Sequence, residues 1–578
     1  MTIHYSGIDD KSTGGGFTPR ANGSDEFIVQ RVLSRFDSLR SIRSNYESTW
    51  DEITEYVLPS RGSYSDLRTN TRADRRDRKV LDITGIVAAR TLSARVITEM
   101  TSQGDRWFDF RIKDPELDRL ETVRRFLYEV SDKAYSVLQD NWRLPHTEVT
   151  TDWIGYGTAC LYVQETESKD GEKELVFKSI PVTELFIAED FKGKPDTVFR
   201  YFTLPVRQIA QEFGTDSFTK DMLECLDKDP DKTYEVIHAV FPSDTYIKDG
   251  KMKQNMKYKS CYVLRDKKIL LRQGGFKRMP FIVFRFWKRT GEPYGGSPAW
   301  DALSDIRMIN VMSETALRAF QMEAFPPLLA ASDGVIMPLK TIPNGVNIGG
   351  MSPDGKRLVE PLVTGSKSQL AFEVLEQRRQ SIRNAFFVDP LINRENSIRT
   401  AAEVQKRAAE ELNGIGPFVN RYEQEYLEPL LDRVFDFVLD NMIDPETIPE
   451  EVQGLETEIE YTAPLARTQR AKQLDSTVTF LQLIQTVAQA DPSVMGVLKK
   501  DNLVAMLTDL LGVPYHILKT QEEMAAEEQQ KAQQQMMEQL MQAGPALGST
   551  IKDTSEGLQN LSQTAQVGLQ GQGTINTR

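Results

Sequence analysis

The chain has 578 residues, 40% hydrophobic and 27% charged, which is enough apolar material for several structural regions around a substantial core. Its net charge of −13 excludes a general nucleic-acid binder, because phosphate affinity rests on Lys and Arg. Cys160, Cys225 and Cys261 are odd in number and far apart, which excludes a disulfide frame; no apolar run is long enough for a membrane span, and the N-terminus lacks the basic start and apolar core of a secretory signal, so synthesis in the cytosol is expected.

Taken in chain order, residues 1–24 are Gly/Ser/Thr-rich without periodicity and are expected to form a flexible arm. A helix is predicted from about Glu26 to Tyr56, with Ile28, Val32, Phe36, Leu39, Ile42, Tyr46, Trp50 and Ile53 on one stripe, and another from Val80 to Thr101. Strand signals then dominate. Ala159–Gln164 is expected to pair with Glu174–Ser179, and further strands fit Thr197–Thr203, Tyr234–Phe241, Lys259–Arg265, Ile269–Arg272 and Phe281–Trp287. Two short helices fit Pro205–Phe213 and Asp216–Leu226. The fold class is therefore α+β, with an antiparallel or mixed sheet.

From Pro293 onward the pattern changes. A helix runs from about Ser297 to Phe325 and stops at Pro326-Pro327, since proline lacks an N–H and clashes with the preceding turn. Residues 328–364 hold SDGV, IPNGVNIGG and SPDGK, turn signals that read as a small strand-and-turn module. A second helix, about Gln369 to Phe387, is followed by the polar stretch 389–399. A long helix is then predicted from about Thr400 to Met442, on the order of 60 Å if straight. Gly414, Gly416 and Pro417 are expected to kink it, with Pro429 as a second weak point. A segment at 443–464 leads into helix-favouring sequence at 465–542, and 543–578 is of low complexity.

The chemistry is mostly absent. No GxxxxGK[ST], no GxGxxG after a strand and no GxSxG is present, and His4, His146, His238 and His516 are isolated. No catalytic residue, metal ligand or cofactor is expected, and His238 reads as a strand side chain. The 84 acidic residues make chance carboxylate pairs certain, so solvated helix faces are the simpler reading than a nuclease site. The basic run from Arg68 to Lys79 reads as a nucleic-acid patch or, given Asp74 and Asp77 within it, as a solvated or intersubunit ion-pairing loop.

Several stretches carry a resemblance. They are Trp50 and Tyr56-Val-Leu-Pro-Ser-Arg-Gly62; Gly155-Tyr-Gly-Thr-Ala-Cys-Leu-Tyr162; Ile180-Pro-Val-Thr-Glu184 and Asp190-Phe-Lys-Gly193; then Tyr294-Gly-Gly-Ser-Pro298 and Phe325-Pro-Pro327. Arg399-Thr-Ala-Ala-Glu403, Gly416-Pro417, Tyr461-Thr-Ala-Pro-Leu-Ala-Arg467 with Gln469-Arg470, and Gly512-Val-Pro514 complete the set. In this order, over about 26–535, the chain resembles the portal proteins, or head-to-tail connectors, of short-tailed bacteriophages.

The resemblance implies a non-enzymatic ring of twelve subunits at one capsid vertex, through which the genome is packaged and ejected. It implies a wing at 25–293, stem helices at 294–327 and 365–388, and a clip at 328–364. A tunnel loop at 389–399, a long kinked helix at 400–442, a return segment at 443–464 and a crown at 465–542 follow. The tunnel-loop residues Asn393, Arg394, Glu395, Asn396 and Arg399 would face DNA. Asp333, Lys340, Asn344, Asp354, Lys356 and Arg357 would present the clip's docking surface. Implied partners are further copies of the chain, double-stranded DNA without sequence preference, the terminase motor, tail adaptor or nozzle proteins, major capsid and scaffolding proteins, and internal core or ejection proteins at the crown. No membrane partner is implied. The competing readings are a helical assembly scaffold and, least favoured, a metal-dependent DNA-processing enzyme.

Overall fold

The computed structural model describes residues 22–61, 80–330 and 340–388, apart from short stretches at 103–105, 115–116, 168–170, 244–255 and 363–367 and scattered positions in 341–349. It resumes at 416–462, apart from 453–456, and covers 477–484. The chain divides into two units, Met1–Lys472 and Gln473–Arg578. In the second, the described residues are one helical run at 477–484.

Helix α1 (Asn22–Tyr56) is 35 residues long, roughly 50 Å, and one apolar stripe serves two cores. Its first half lays Val29, Val32, Phe36 and Leu39 against Phe186, Phe199, Ile237 and Val263 of a sheet. Its second half carries Tyr46, Trp50 and Ile53 into the main core. Helix α2 (Thr84–Met100) follows, then strand β1 (Phe108–Ile112).

Two helices come next that the strand-centred reading does not anticipate, α3 (Glu121–Asn141) and α4 (Arg143–Tyr156). The residues of α4 favour strand, with Thr, Val, Trp and Ile prominent, and His146, Val149, Thr150, Asp152, Trp153 and Ile154 are all buried. Leu144, Thr147 and Glu148 in its first half are exposed while nearly every residue from Val149 on is buried, so no single helical stripe runs its length and sequence pattern alone does not reveal it.

Strands β2 (Thr158–Glu167), β3 (Lys173–Ile180) and β9 (Phe281–Arg285) form an antiparallel sheet of order β3-β2-β9. Strands β4 (Leu185–Glu189), β5 (Pro195–Pro205), β6 (Thr233–Pro242), β7 (Tyr258–Leu264) and β8 (Ile269–Phe276) form a five-stranded antiparallel sheet in sequence order. Helices α5 (Val206–Phe213) and α6 (Lys220–Lys228) join a third apolar cluster with Val206, Ile209, Met222 and Val236. His238 sits in β6, stacked on Tyr262 and hydrogen-bonded to the Ser260 hydroxyl at 2.9 Å. Strands β10 (Trp287–Lys288) and β11 (Gly295–Gly296) make a short ladder before helix α7 (Pro298–Ala324).

Ser297 caps α7 by accepting from the Trp300 N–H, and Pro298 takes the first turn, where a missing N–H costs nothing. Beyond the prolines, β12 (Leu328–Ala330) and β13 (Val359–Pro361) pair antiparallel, and α8 (Ser368–Ala385) packs back on α7. Residues 416–422 are helical, a π turn occupies Glu423–Leu427, and α9 (Glu428–Asn441) continues. Strand β14 (Thr457–Tyr461) pairs antiparallel with β1, so the last part of this unit closes on an early one. Among the described residues no helix is long and apolar enough to cross a membrane.

Candidate functional site at the helix junction

Several of the dispersed sequence motifs, those at Trp50, 155–162, 190–193 and 294–298, meet at one place, where α7 begins. Gly157 ends α4 at φ +78, a left-handed conformation that L side chains rarely adopt, and any Cβ there would run into the Gly295–Gly296 backbone. Phe286 N–H donates to the Gly157 carbonyl at 2.9 Å, Gly295 N–H to the Thr158 hydroxyl at 2.8 Å, and the Ser297 hydroxyl to the Gly155 carbonyl at 2.6 Å. From α1, Trp50 donates its indole N–H to the Tyr156 carbonyl at 3.1 Å, and its ring lies edge-on to Tyr294. The Tyr294 hydroxyl in turn accepts from the Ile187 N–H at 3.2 Å.

Arg285 lies at the centre, the one charge in the apolar run Phe281-Ile-Val-Phe-Arg-Phe-Trp287, and only 1% of it is exposed. All five of its guanidinium N–H groups can be assigned. Nε and Nη2 reach Glu425 at 3.1 and 2.8 Å; Nη1 reaches Glu189 and, at 3.3 Å, the Pro293 carbonyl; Nη2 also reaches the Gly193 carbonyl at 3.0 Å. Lys288 pairs with Glu189 at 2.7 Å and Arg421 with Glu425 at 3.0 Å. One side chain therefore ties together β9, the end of β4, the β4–β5 turn, the β10–β11 turn that leads into α7, and the π turn. Burial works against its charge, but Glu425 and Glu189 outweigh that and hold its pKa above the ordinary value.

The π turn has a local cause. Pro429 has no N–H, and in an α-helix its ring would meet the carbonyl of Glu425. The widened turn, in which Glu428 N–H bonds to the Glu423 carbonyl, avoids that clash. It aims Glu425 at Arg285 and Tyr426 at α4. The Tyr426 hydroxyl meets Trp142 Nε1 at 3.1 Å and His146 Nδ1 at 3.0 Å, while His146 Nε2 lies 2.9 Å from the Thr101 hydroxyl. Burial pushes the His146 pKa down to about 3, so the ring is neutral. Asp152, also buried on α4, pairs with Arg61 at 2.8 Å; burial pushes its carboxyl up to about 7 despite that partner.

A second lock holds the pair α7/α8. Asn310 Oδ1 accepts from the Leu81 and Asp82 N–H groups at 2.8 and 3.1 Å, and Asp82 meets Arg379 at 3.0 Å while capping α2 through the Thr84 N–H. Burial raises the Asp82 carboxyl, but the bonds from Thr84 and Arg379 prevail and hold it below the usual range.

Helix α7 has an additional apolar stripe. Leu303, Ile306 and Ile309 are buried, yet Met308, Val311 and Met322, on the opposite face, are exposed. Phe325, Ile342, Val346 and Ile348 beyond its end are exposed as well.

Of the sequence-predicted site residues, Asn393, Arg394, Glu395, Asn396 and Arg399 lie outside the described residues, as do Asp333, Asn344, Gly414 and the basic run. Lys340, Asp354, Lys356 and Arg357 are exposed. Gly416 and Pro417 open the described helical run, and the irregularity that is visible lies farther on, at the π turn before Pro429. The flanks of 389–415 converge: Phe387 and Phe418 have ring centroids 5.7 Å apart, and Phe418 stacks on Phe286 at 4.6 Å. Sequence reasoning missed Arg285, Glu425, Asn310 and Asp82. Only Arg285 carried a signal, a lone charge in an apolar strand. Among the described residues no three His, Cys, Asp or Glu side chains gather as a metal site.

Comparison with known proteins gives consistent matches. The sequence model described as bacteriophage head to tail connecting protein matches residues 29–518. A probable portal protein of Bordetella phage BPP-1 is 28% identical over 503 residues, 86% of this chain and 89% of that one. The portal protein of Salmonella phage epsilon15 is 28% identical over 548 residues, 91% and 95% of the two chains.

Proposed function

This chain belongs to the bacteriophage head-to-tail connecting proteins, and from that premise we propose that twelve copies close into a ring whose bore passes the double-stranded genome into and out of the capsid. The protein is a portal, a structural component of the virion and not an enzyme. The observation that best supports the ring is the exposed stripe Met308, Val311 and Met322 on α7, opposite the face already packed on the body. A helix apolar on two faces needs two partners, and a neighbouring copy supplies the second.

Within this reading, residues 25–293 form the wing, α7 and α8 the stem, 328–364 the clip, 389–399 the tunnel loop, 400–442 the long kinked helix, 443–464 the return segment and 465–542 the crown. The aromatic contact between Phe387 and Phe418 supports a tunnel loop, because it pins both feet of 389–415 at one point. Asn393, Arg394, Glu395, Asn396 and Arg399 would then meet DNA, without sequence preference, as rings of side chains around the bore. The exposed Lys340, Asp354, Lys356 and Arg357, with Asp333 and Asn344, would dock the terminase motor and later the tail adaptor. Major capsid and scaffolding proteins would surround the wing, and internal core or ejection proteins would meet the crown. A net charge of −13 per copy suits a conduit that must hold DNA without gripping it. The test is the mass of the purified protein in solution and its projection by negative-stain microscopy. Rings of twelve are expected, and a chain monomeric under all assembly conditions would overturn the reading.

A further inference from the structure

We propose that Pro429 is a register lock: by holding the π turn at Glu423–Leu427 it fixes the rotational setting of residues 416–422, the foot from which 389–415 departs. The bearing of that foot on DNA rests on the tunnel-loop reading above. A π turn takes up one more residue than an α turn over about the same rise. Closing it to α would therefore rotate one side of the helix by about 100° and shift it by about 1.5 Å. Pro429 opposes the closure, because it has no N–H to offer the Glu425 carbonyl and its ring would strike that oxygen. It acts through the turn, and is a positioning residue.

The two sides of the turn are not equally free to move. Downstream, Leu430, Leu431, Val434, Phe435 and Val438 are at most 1% exposed. Arg278 grips the same stretch, reaching Asp432 at 2.8 Å and accepting at its carbonyl from Arg433 at 3.2 Å. Upstream, residues 416–422 are short, and Pro417 and Asn420 among them are exposed. The upstream side is the one that would turn. It holds Phe418 on Phe286 and near Phe387, the Tyr422 ring 4.8 Å from Trp153, and the Tyr422 hydroxyl 3.3 Å from the Thr150 hydroxyl. Tyr422, Tyr426 and Leu430 are four residues apart and all buried. In a continuous α-helix eight residues overshoot two turns by about 80°, whereas with one residue taken up by the π turn they fall short by about 20°, so the three stay on one face. In the α register Val419 and Tyr422 would leave the core, and Phe418 would leave both aromatic partners.

The full chain tests the lock, with Cys225→Ser removing the half-buried native thiol and one reporter cysteine added, either Val419→Cys or, as a downstream control, Val434→Cys. Pro429→Ala should speed maleimide labelling at 419 about tenfold or more, since proline is disfavoured in a helix interior, and leave 434 shielded. Deleting the exposed Gln424 in the same variant removes the surplus residue, so a plain α-helix then restores the upstream register and should restore shielding at 419. Unchanged labelling at 419 with Pro429→Ala would overturn the lock. So would equal speeding at 419 and 434, which is unfolding and not a change of register, or a 419 that stays reactive after the deletion. Heads built on Pro429→Ala rings should leak DNA or change packaged genome length. Unchanged leakage and length, with 419 labelled, would leave the lock standing and take 389–415 out of the DNA path.

Discussion

At the scale of single residues, the junction depends on groups whose burial makes their partners indispensable. Replacing Arg285 by Met leaves the Glu189 and Glu425 carboxylates without their shared cation, and should cost about 3–5 kcal/mol, read as a lower midpoint in denaturant unfolding. Arg285→Lys should recover little, since an ammonium cannot span Glu425, Glu189 and two carbonyls at once. Two titrating groups on α4 pull stability in opposite directions with pH. His146 is held below its unfolded value, so the stability it allows is complete above about pH 6.5 and falls as pH drops towards 3. Asp152 is held above its unfolded value, so its contribution is complete below about pH 4 and is lost as pH rises through 7. Thermal stability should therefore decline on both sides of a mildly acidic range. Glu423 and Asp436, raised by burial to about 7 and about 6, add to the same alkaline limb, so Asp152→Asn should make that limb shallower without abolishing it and leave the acid limb in place; an alkaline limb of unchanged depth would show that Asp152 does not titrate there.

At the scale of elements, legibility followed amphipathic pattern. Helix α7, predicted from Ser297 to Phe325, is observed from Pro298 to Ala324, because a cap, a first-turn proline and a double proline mark its ends. Strands β2, β3, β5, β6 and β7 fell within a few residues of their predicted bounds. Helix α4 was hidden because its second half, Val149–Tyr156, is buried around almost its whole circumference, whereas α3 carries a readable stripe at Val123, Phe126, Leu127, Val130 and Ala134 that a strand-centred reading passes over. The five-residue strands β1, β4 and β14 are too short to announce themselves. The Arg285 cluster was illegible for another reason: Glu189, Glu425 and Pro293 are far apart in sequence, and only the fold shows that they meet. The strand pair at the insert's base makes a clean deletion possible, since Leu328 lies opposite Pro361. Closing the chain there with a short turn and removing the remainder should leave ring formation largely intact while abolishing docking of motor and tail proteins. Normal tail attachment to such rings would show that docking lies elsewhere.

At the scale of the whole molecule, the expected role is mechanical, and the channel's charge is where it can be measured. Replacing Arg394 and Arg399 by Ala should alter packaged genome length or DNA leakage more than ring stability, because exposed ion pairs contribute only about 0–1 kcal/mol. Mutant heads with unchanged genome length and unchanged leakage would remove those arginines from the DNA path; failure to form rings would make them structural. The pairing of β1 with β14 has a consequence in time as well as space. Residues 108–112 leave the ribosome long before their partners at 457–461, roughly 20–70 s earlier at 5–20 residues per second. Until then β1 has an unpaired edge and the core lacks Tyr422, Tyr426, Leu430 and Val434, so early folding intermediates must be shielded or kept apart. A chain cut short before Tyr422 lacks the π-turn and α9 part of the core, and one cut short before Thr457 leaves β1 with an unpaired edge, so truncated copies should be selected against before they can join a ring.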